Sequence, residues 1–193
     1  DWLITPQVSL TGVPNPQLVF VGKTTPVGPN RNSVLKVMIS TTGTAPANFT
    51  LLQTFNESFS GAVNPISPNA NFDLKTLNLT GYANQNVYIA FVMENSGVGK
   101  TWIIDDVKFF NQCLDITNIV ISDVDLDSGV ISWDNPGGAA SFEIELVAGN
   151  NQPTGTATHT STTNSIELPL VVGVNYKAYV RAVCSGNTSG WLV

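Results

Sequence analysis

The sequence predicts an all-β protein built as two consecutive β-sandwiches, and three observations carry that prediction. Apolar and polar residues alternate over strand-length runs, which places one side of each run on a core. Helical periodicity is almost absent. Clusters of Gly, Pro and Asn separate the runs, and they turn the chain for different reasons: Gly accepts positive φ, Pro presets φ, and Asn bonds to its own backbone.

In the first half the expected strands are 2–10, 16–22, 33–41, 48–55, 71–79, 86–94 and 101–110. Leu35, Val37 and Ile39 share one face of "SVLKVMIST", and Val87, Ile89, Phe91 and Met93 share one face of "NVYIAFVM". "TGVPNP", "TTPVGPN" and "AVNPISPNAN" read as long loops, since proline cannot donate to a ladder. So many short strands close naturally as two antiparallel sheets packed together. A boundary near "FFNQC" divides the chain into units 1–111 and 112–193.

The second unit keeps the same alternation. Ile131 and Trp133 of "VISWDNP" point inward; Phe142, Ile144 and Leu146 point inward against outward Glu143 and Glu145. In "LPLVVGVNYKAYVRAVC", Tyr176, Ala178, Val180 and Ala182 oppose Lys177, Tyr179 and Arg181. A leucine several residues before a strand-opening tyrosine fits the tyrosine corner of immunoglobulin-like sandwiches, where the hydroxyl bonds to upstream backbone. Trp133 and Tyr176 are therefore expected in the core.

Charge excludes some functions. The net charge is -6, whereas nucleic-acid binding needs clustered Lys and Arg to neutralise phosphates. Residues 1–112 carry six acids and six bases, and residues 113–193 carry eight acids and two bases, so the acidity lies wholly in the second unit. No apolar run approaches the roughly 20 residues of a membrane helix, and no signal peptide is recognised, so no membrane insertion is expected. Only 11% of residues are charged, and a surface rich in Thr, Asn, Ser and Gly suits a β-rich extracellular protein. Cys113 and Cys184 bracket the acidic unit and read as a disulfide, with two buried thiols as the alternative. A bond there implies an oxidising compartment.

"NSGVGKTWIIDD" raises the question of a nucleotide site. A phosphate loop needs G-x-x-x-x-G-K-[ST] followed by a helix N-terminus. Here Glu94 stands where the first glycine belongs, and "TWIIDDVKFF" is rich in strand-forming residues. The stretch reads as a turn feeding a strand.

Four segments together, "DWLITPQVSL", "LKVMISTTGT" with "FTLL", "LNLTGYANQNVYIAFVMEN" and "TWIIDDVKFF", resemble the cleaved-adhesin or choice-of-anchor-J jelly roll, related to MAM domains. Residues 113–193 resemble a fibronectin type III domain of secreted Bacteroidetes proteins, in which "C…SW…P…YVRAVC" recurs with paired cysteines. That resemblance implies the Cys113–Cys184 bond. It also implies a non-catalytic adhesion or presentation module of a large secreted or cell-surface protein, exported by type IX secretion. The alternative it carries is the accessory carbohydrate-binding region of a secreted hydrolase or protease. Partners would be other domains of the same long chain, with surface glycans or proteins as further candidates. Relative to the families, an N-terminal strand is expected to be missing and the last strand of the second domain incomplete.

In related jelly rolls an "IDDV" acid pair helps hold structural calcium, which takes 6–8 oxygen ligands. The resemblance thus nominates Asp105 and Asp106, with Asp1 added by the nearness of first and last strands; solvated strand-end acids are the alternative. Asp123, Asp125 and Asp127 imitate a calcium loop, but its sixth and twelfth positions hold Ser128 and Asp134 instead of Gly and Glu, so a hairpin turn is expected. His159, the single histidine, has no nucleophile arrangement around it and reads as an exposed strand residue. Trp2, Trp102 and Trp133 are expected to be packed, which leaves Tyr82 and Tyr88 as candidate sugar-stacking residues, with packing as the alternative. Asn48, Asn56, Asn78 and Asn187 open N-x-[ST] sequons.

Overall fold

The computed structural model describes every residue except 26–28, 67–70, 96, 98, 136 and 186. Parts of the loops expected at 24–30 and 62–71, and of the turn at 95–100, therefore lie outside the described residues. The chain divides into two units, Asp1–Phe110 and Asn111–Val193. Among the described residues both are built of strands joined by loops, with short 3-10 turns at Pro46–Asn48 and Thr80–Tyr82. No helix among the described residues is long and apolar enough to cross a membrane.

The first unit contains β1 (Trp2–Ile4), β2 (Val8–Ser9), β3 (Pro16–Thr25), β4 (Val34–Ser40), β5 (Thr50–Glu57), β6 (Pro65–Ile66), β7 (Asp73–Asn78), β8 (Asn86–Glu94) and β9 (Thr101–Asn111), whose last residue falls in the second unit. One sheet runs β1-β8-β4-β5-β6, with β2 continuing along the β8 edge below β1; the other runs β7-β3-β9. The strand expected at 2–10 is split because Pro6 has no N–H to offer. Thr5 bridges the gap: its N–H donates to Ile89 O at 2.9 Å and its hydroxyl accepts from Ile89 N–H at 3.0 Å.

Between the sheets lies a core of Leu18, Phe20, Leu35, Val37, Ile39, Phe55, Val87, Ile89 and Phe91. Leu35, Val37 and Ile39 on β4, and Val87, Ile89 and Phe91 on β8, are the inward positions that alternation marks. Phe20 meets Phe55 and Phe91 edge-on at 5.6 and 5.2 Å, a favoured aromatic geometry. The outward face of β8 is buried too. Ala90 and Val92 pack under Phe49, with Ile4, Met38 and Tyr88 beside them.

The second unit has β10 (Thr117–Ser122), β11 (Ser128–Asp134), β12 (Ser141–Ala148), β13 (His159–Ser161), β14 (Ser165–Pro169), β15 (Tyr176–Cys184) and β16 (Asn187–Thr188). Sheet β10-β11-β14 faces sheet β13-β12-β15-β16, the three-on-four arrangement of an immunoglobulin-like sandwich. Beyond β16, Leu192 makes a further bridge to Val180. Trp133 is buried against Phe142 at 5.0 Å, with Ile131, Ile144, Leu168 and Val180 around it. Its indole N–H has no acceptor among the described residues, so packing alone holds it.

Two expectations here are corrected. Tyr176 is half-buried, and no hydrogen bond runs from its hydroxyl to upstream backbone among the described residues, so the corner is not made. Glu145 points outward from its strand yet is only 3% exposed, because the β12–β13 connection folds over it. Thr154 donates to Glu145 Oε1 through its N–H and its hydroxyl, and Gly155 N–H donates to Oε2 at 2.9 Å. The Thr154 backbone bond leads in holding this carboxyl below the usual carboxylate range, against a smaller upward push from burial. Glu145→Ala is expected to speed amide hydrogen exchange at Thr154 and Gly155 while leaving β15 amides protected; unchanged exchange at both would assign the loop's order to another cause.

Candidate functional site

The "GKT" stretch resolves into a buried ionic cluster. Lys100 is 2% exposed and Glu57, at the end of β5, is fully buried. Lys100 Nζ lies 3.4 Å from Glu57 Oε2. Glu57 also accepts from Arg31 N–H at 2.9 Å, from Ser33 N–H at 3.0 Å and from the Ser33 hydroxyl. Trp102 Nε1 donates to Ser33 Oγ at 3.0 Å. Burial pushes the Glu57 carboxyl up, but the Ser33 hydroxyl, the two backbone N–H groups and Lys100 outweigh it, and the group titrates below the usual carboxylate range. The lysine thus holds an internal carboxylate. Gly99 is required by close approach: a Cβ there would stand 2.8 Å from Asn95 Nδ2 and 2.9 Å from Asn95 Cβ.

Around this cluster the first sandwich opens. A cleft of about 500 Å³ lies on the side where the outer strands β1 and β9 end the two sheets. Leu3, Phe91, Met93, Trp102 and Ile104 supply apolar walls, and Asp1, Asn95 and Thr101 add polar atoms. Trp2, expected to be packed, is 41% exposed. It rests edge-on against Phe49 at 5.5 Å on the outward face of β8, where its pairing with Val92 places it, while Leu3, paired with Phe91, faces the cleft. β1 is an edge strand of three residues with no further strand paired to it among the described residues.

The calcium candidates are placed differently. Trp102 and Ile104 face the core, and so does Phe109, although simple alternation would turn it outward. The switch occurs at Asp105 and Asp106: Asp106 takes φ 51°, its N–H donates to Asp105 Oδ1 at 2.8 Å, and both side chains are exposed. This is a bulge that changes which face the strand presents. Lys108 Nζ sits 3.4 Å from Asp106 Oδ1. Asp1 is not brought to the pair; its backbone exchanges bonds with Met93. Among the described residues no three His, Cys, Asp or Glu side chains converge as a metal site. Asp1, Asp105 and Asp106 therefore do not fit a shared calcium. Asp105 and Asp106 alone offer two carboxylates, one of them beside a lysine.

Tyr82 packs against the main core of the first unit, whereas Tyr88 packs in the cluster on the outward face of β8, so they do not form one platform. Trp191 is covered by the Arg181 guanidinium at 4.4 Å, which Glu143 anchors at 2.6 Å. Asp123, Asp125 and Asp127 lie exposed in the β10–β11 turn, and His159 is a half-buried strand residue whose Nδ1 is 2.8 Å from the Thr158 hydroxyl. Cys113 and Cys184 are joined, with Cα atoms 5.5 Å apart. The exposure of Trp2 was missed because Trp2 stands in a strand-like run, and nothing local says that its strand lies at an edge.

No known protein family matches the sequence, and no curated protein matches it. Among solved structures, a two-domain fibronectin type III segment of chicken tenascin aligns over 100% of this chain and 94% of its own, at 15% identity and TM-score 0.40. The glycoside hydrolase domain of Endo-D from Streptococcus pneumoniae R6 aligns over 97% of this chain and 29% of its own, at 14% identity and TM-score 0.36. A β-1,2-glucanase from Parabacteroides distasonis aligns over 92% and 27%, at 13% identity and TM-score 0.31. The chain thus spans less than a third of either glycosidase structure. At these TM-scores none of the three sets the fold or the activity; the fold rests on the sheet order and register.

Proposed function

We propose that this chain is a two-module, non-catalytic part of a larger extracellular or cell-surface bacterial protein, serving adhesion or the presentation of neighbouring domains. The observation that carries this reading is the Cys113–Cys184 disulfide closing an acidic, immunoglobulin-like sandwich, since such bonds persist in oxidising compartments. The resemblance of residues 1–110 to the cleaved-adhesin jelly roll and of residues 113–193 to secreted fibronectin type III domains supports it. Beads carrying the 193-residue chain, flowed over immobilised collagen, fibrinogen and a glycan panel, are expected to be retained above albumin-coated beads. Retention at the albumin level on every surface would overturn adhesion.

The exposed Trp2 indole, edge-on to Phe49 on the outward face of β8, favours a second reading, an accessory carbohydrate-binding region, because an exposed aromatic ring suits a sugar's apolar face. Under that reading retention is confined to particular glycans and is lost in Trp2→Ala but kept in Tyr82→Phe. Calcium belongs to either reading as a rigidifying ion at Asp105 and Asp106. A chelator then lowers the melting temperature of the wild type and has a reduced effect on Asp106→Ala; a melt unmoved by chelator removes the ion.

A further inference from the structure

The second sandwich does not close its core at the end where β10 turns into β11 and β14 leads to β15. There Ile131 and Leu168, both core residues, form the floor of an apolar pocket of about 220 Å³ whose mouth is Val124, Leu170, Val174 and Tyr176. Gly129 makes room for it: a Cβ at this position would meet Leu170 Cδ1 at 3.0 Å. At the mouth, Val124 is 61% and Val174 39% exposed. Turns usually carry polar residues, so "LVVGV" in a loop is out of place unless something covers it.

The surface is organised in advance. Leu170 N–H donates to Asp127 O at 2.8 Å, tying the two loops together, and Val174 N–H closes a turn on Val171 O at 3.1 Å with Gly173 at φ 79°. On the outward side of β14, whose inward Leu168 borders the apolar pocket, lies a polar depression of about 310 Å³ lined by Asp127 and Glu167. Neither carboxylate has an ion pair or side-chain hydrogen bond among the described residues.

We infer that this end of the second unit docks an extended segment of a partner protein that pairs a large aliphatic side chain with an adjacent lysine or arginine. The pocket takes the aliphatic group, and Asp127 and Glu167 take the cation. Charge decides the occupant. The second unit has eight acids against two bases, so a second copy would set like charges face to face, whereas a basic segment is attracted before contact. The inference goes beyond the adhesion reading and does not depend on it.

The test uses the full 193-residue chain and a short fluorescein-labelled peptide alternating Lys and Leu, followed by anisotropy, with Lys/Ser and Glu/Leu peptides as comparisons. Binding of the Lys/Leu peptide is expected to weaken about tenfold or more in Val124→Ser/Val174→Ser, at the pocket mouth, and in Asp127→Asn/Glu167→Gln. All four side chains are exposed, so the variants should melt as the wild type does. Raising salt from about 0.05 to about 0.5 M should weaken it further. Equal binding of the Lys/Ser peptide, wild-type binding by the apolar double variant, or no binding at all would overturn the inference. So would a dimer in sedimentation that the apolar double variant abolishes, since that assigns the surface to a second copy.

Discussion

Replacing Lys100 by methionine is expected to destabilise the first unit by about 3–5 kcal/mol, because it leaves the Glu57 carboxylate buried without its counter-ion. The side chain of each partner is wholly inaccessible, and the nearest N···O distance is 3.4 Å. Glu57→Gln should cost a similar amount by stranding the ammonium. The double variant Glu57→Gln/Lys100→Met should cost much less than the sum, since no charge is then left unpaired. Urea unfolding followed through Trp2 and Trp102 measures all three. A single-variant cost below about 1 kcal/mol, the range of exposed pairs, would mean that water reaches the cluster.

The same carboxylate makes stability depend on pH, and the sign follows from the direction of its shift. Glu57 titrates lower in the folded state than its ordinary value of 4.5. Its contribution is therefore complete above that value and is lost as pH falls through the folded pKa. The stability gap between wild type and Glu57→Gln should be constant near neutrality and narrow below about pH 4.5. A gap that widens in acid would contradict the hydrogen-bond assignment.

Removing the disulfide is expected to cost the second unit about 4 kcal/mol in the chain-entropy model, because the bond closes a long loop in the unfolded chain. The cysteines are separated by 71 positions, and both belong to Asn111–Val193. Cys113→Ala/Cys184→Ala should move the unfolding transition reported by Trp133 and Trp191, and a reductant should move the wild type equally. A shift below about 1 kcal/mol would mean that the unfolded chain is already restricted without the bond.

Much of this architecture was legible residue by residue. Alternation places Leu35, Val37 and Ile39, and Val87, Ile89 and Phe91, in the first core, and Ile131, Trp133, Phe142 and Ile144 in the second. It does so because successive side chains on a strand point to opposite faces, a property of two or three neighbours alone. Alternation was silent about β6, whose two residues carry no period, and misleading at Phe109, where the bulge at Asp105 and Asp106 reverses the faces.

By itself, then, the sequence determined the class of fold, the inward faces of the long strands, the seat of the negative charge and a strand in place of a phosphate loop after Lys100. Only the tertiary structure decided which strands became edges, and with that the exposure of Trp2, the cover that Phe49 places over Val92, and the meeting of Glu57 with Lys100. The physical reason is range. Strand periodicity is written in adjacent residues, but burial of a charge or opening of a cleft depends on segments far apart in the chain, whose approach no local pattern encodes.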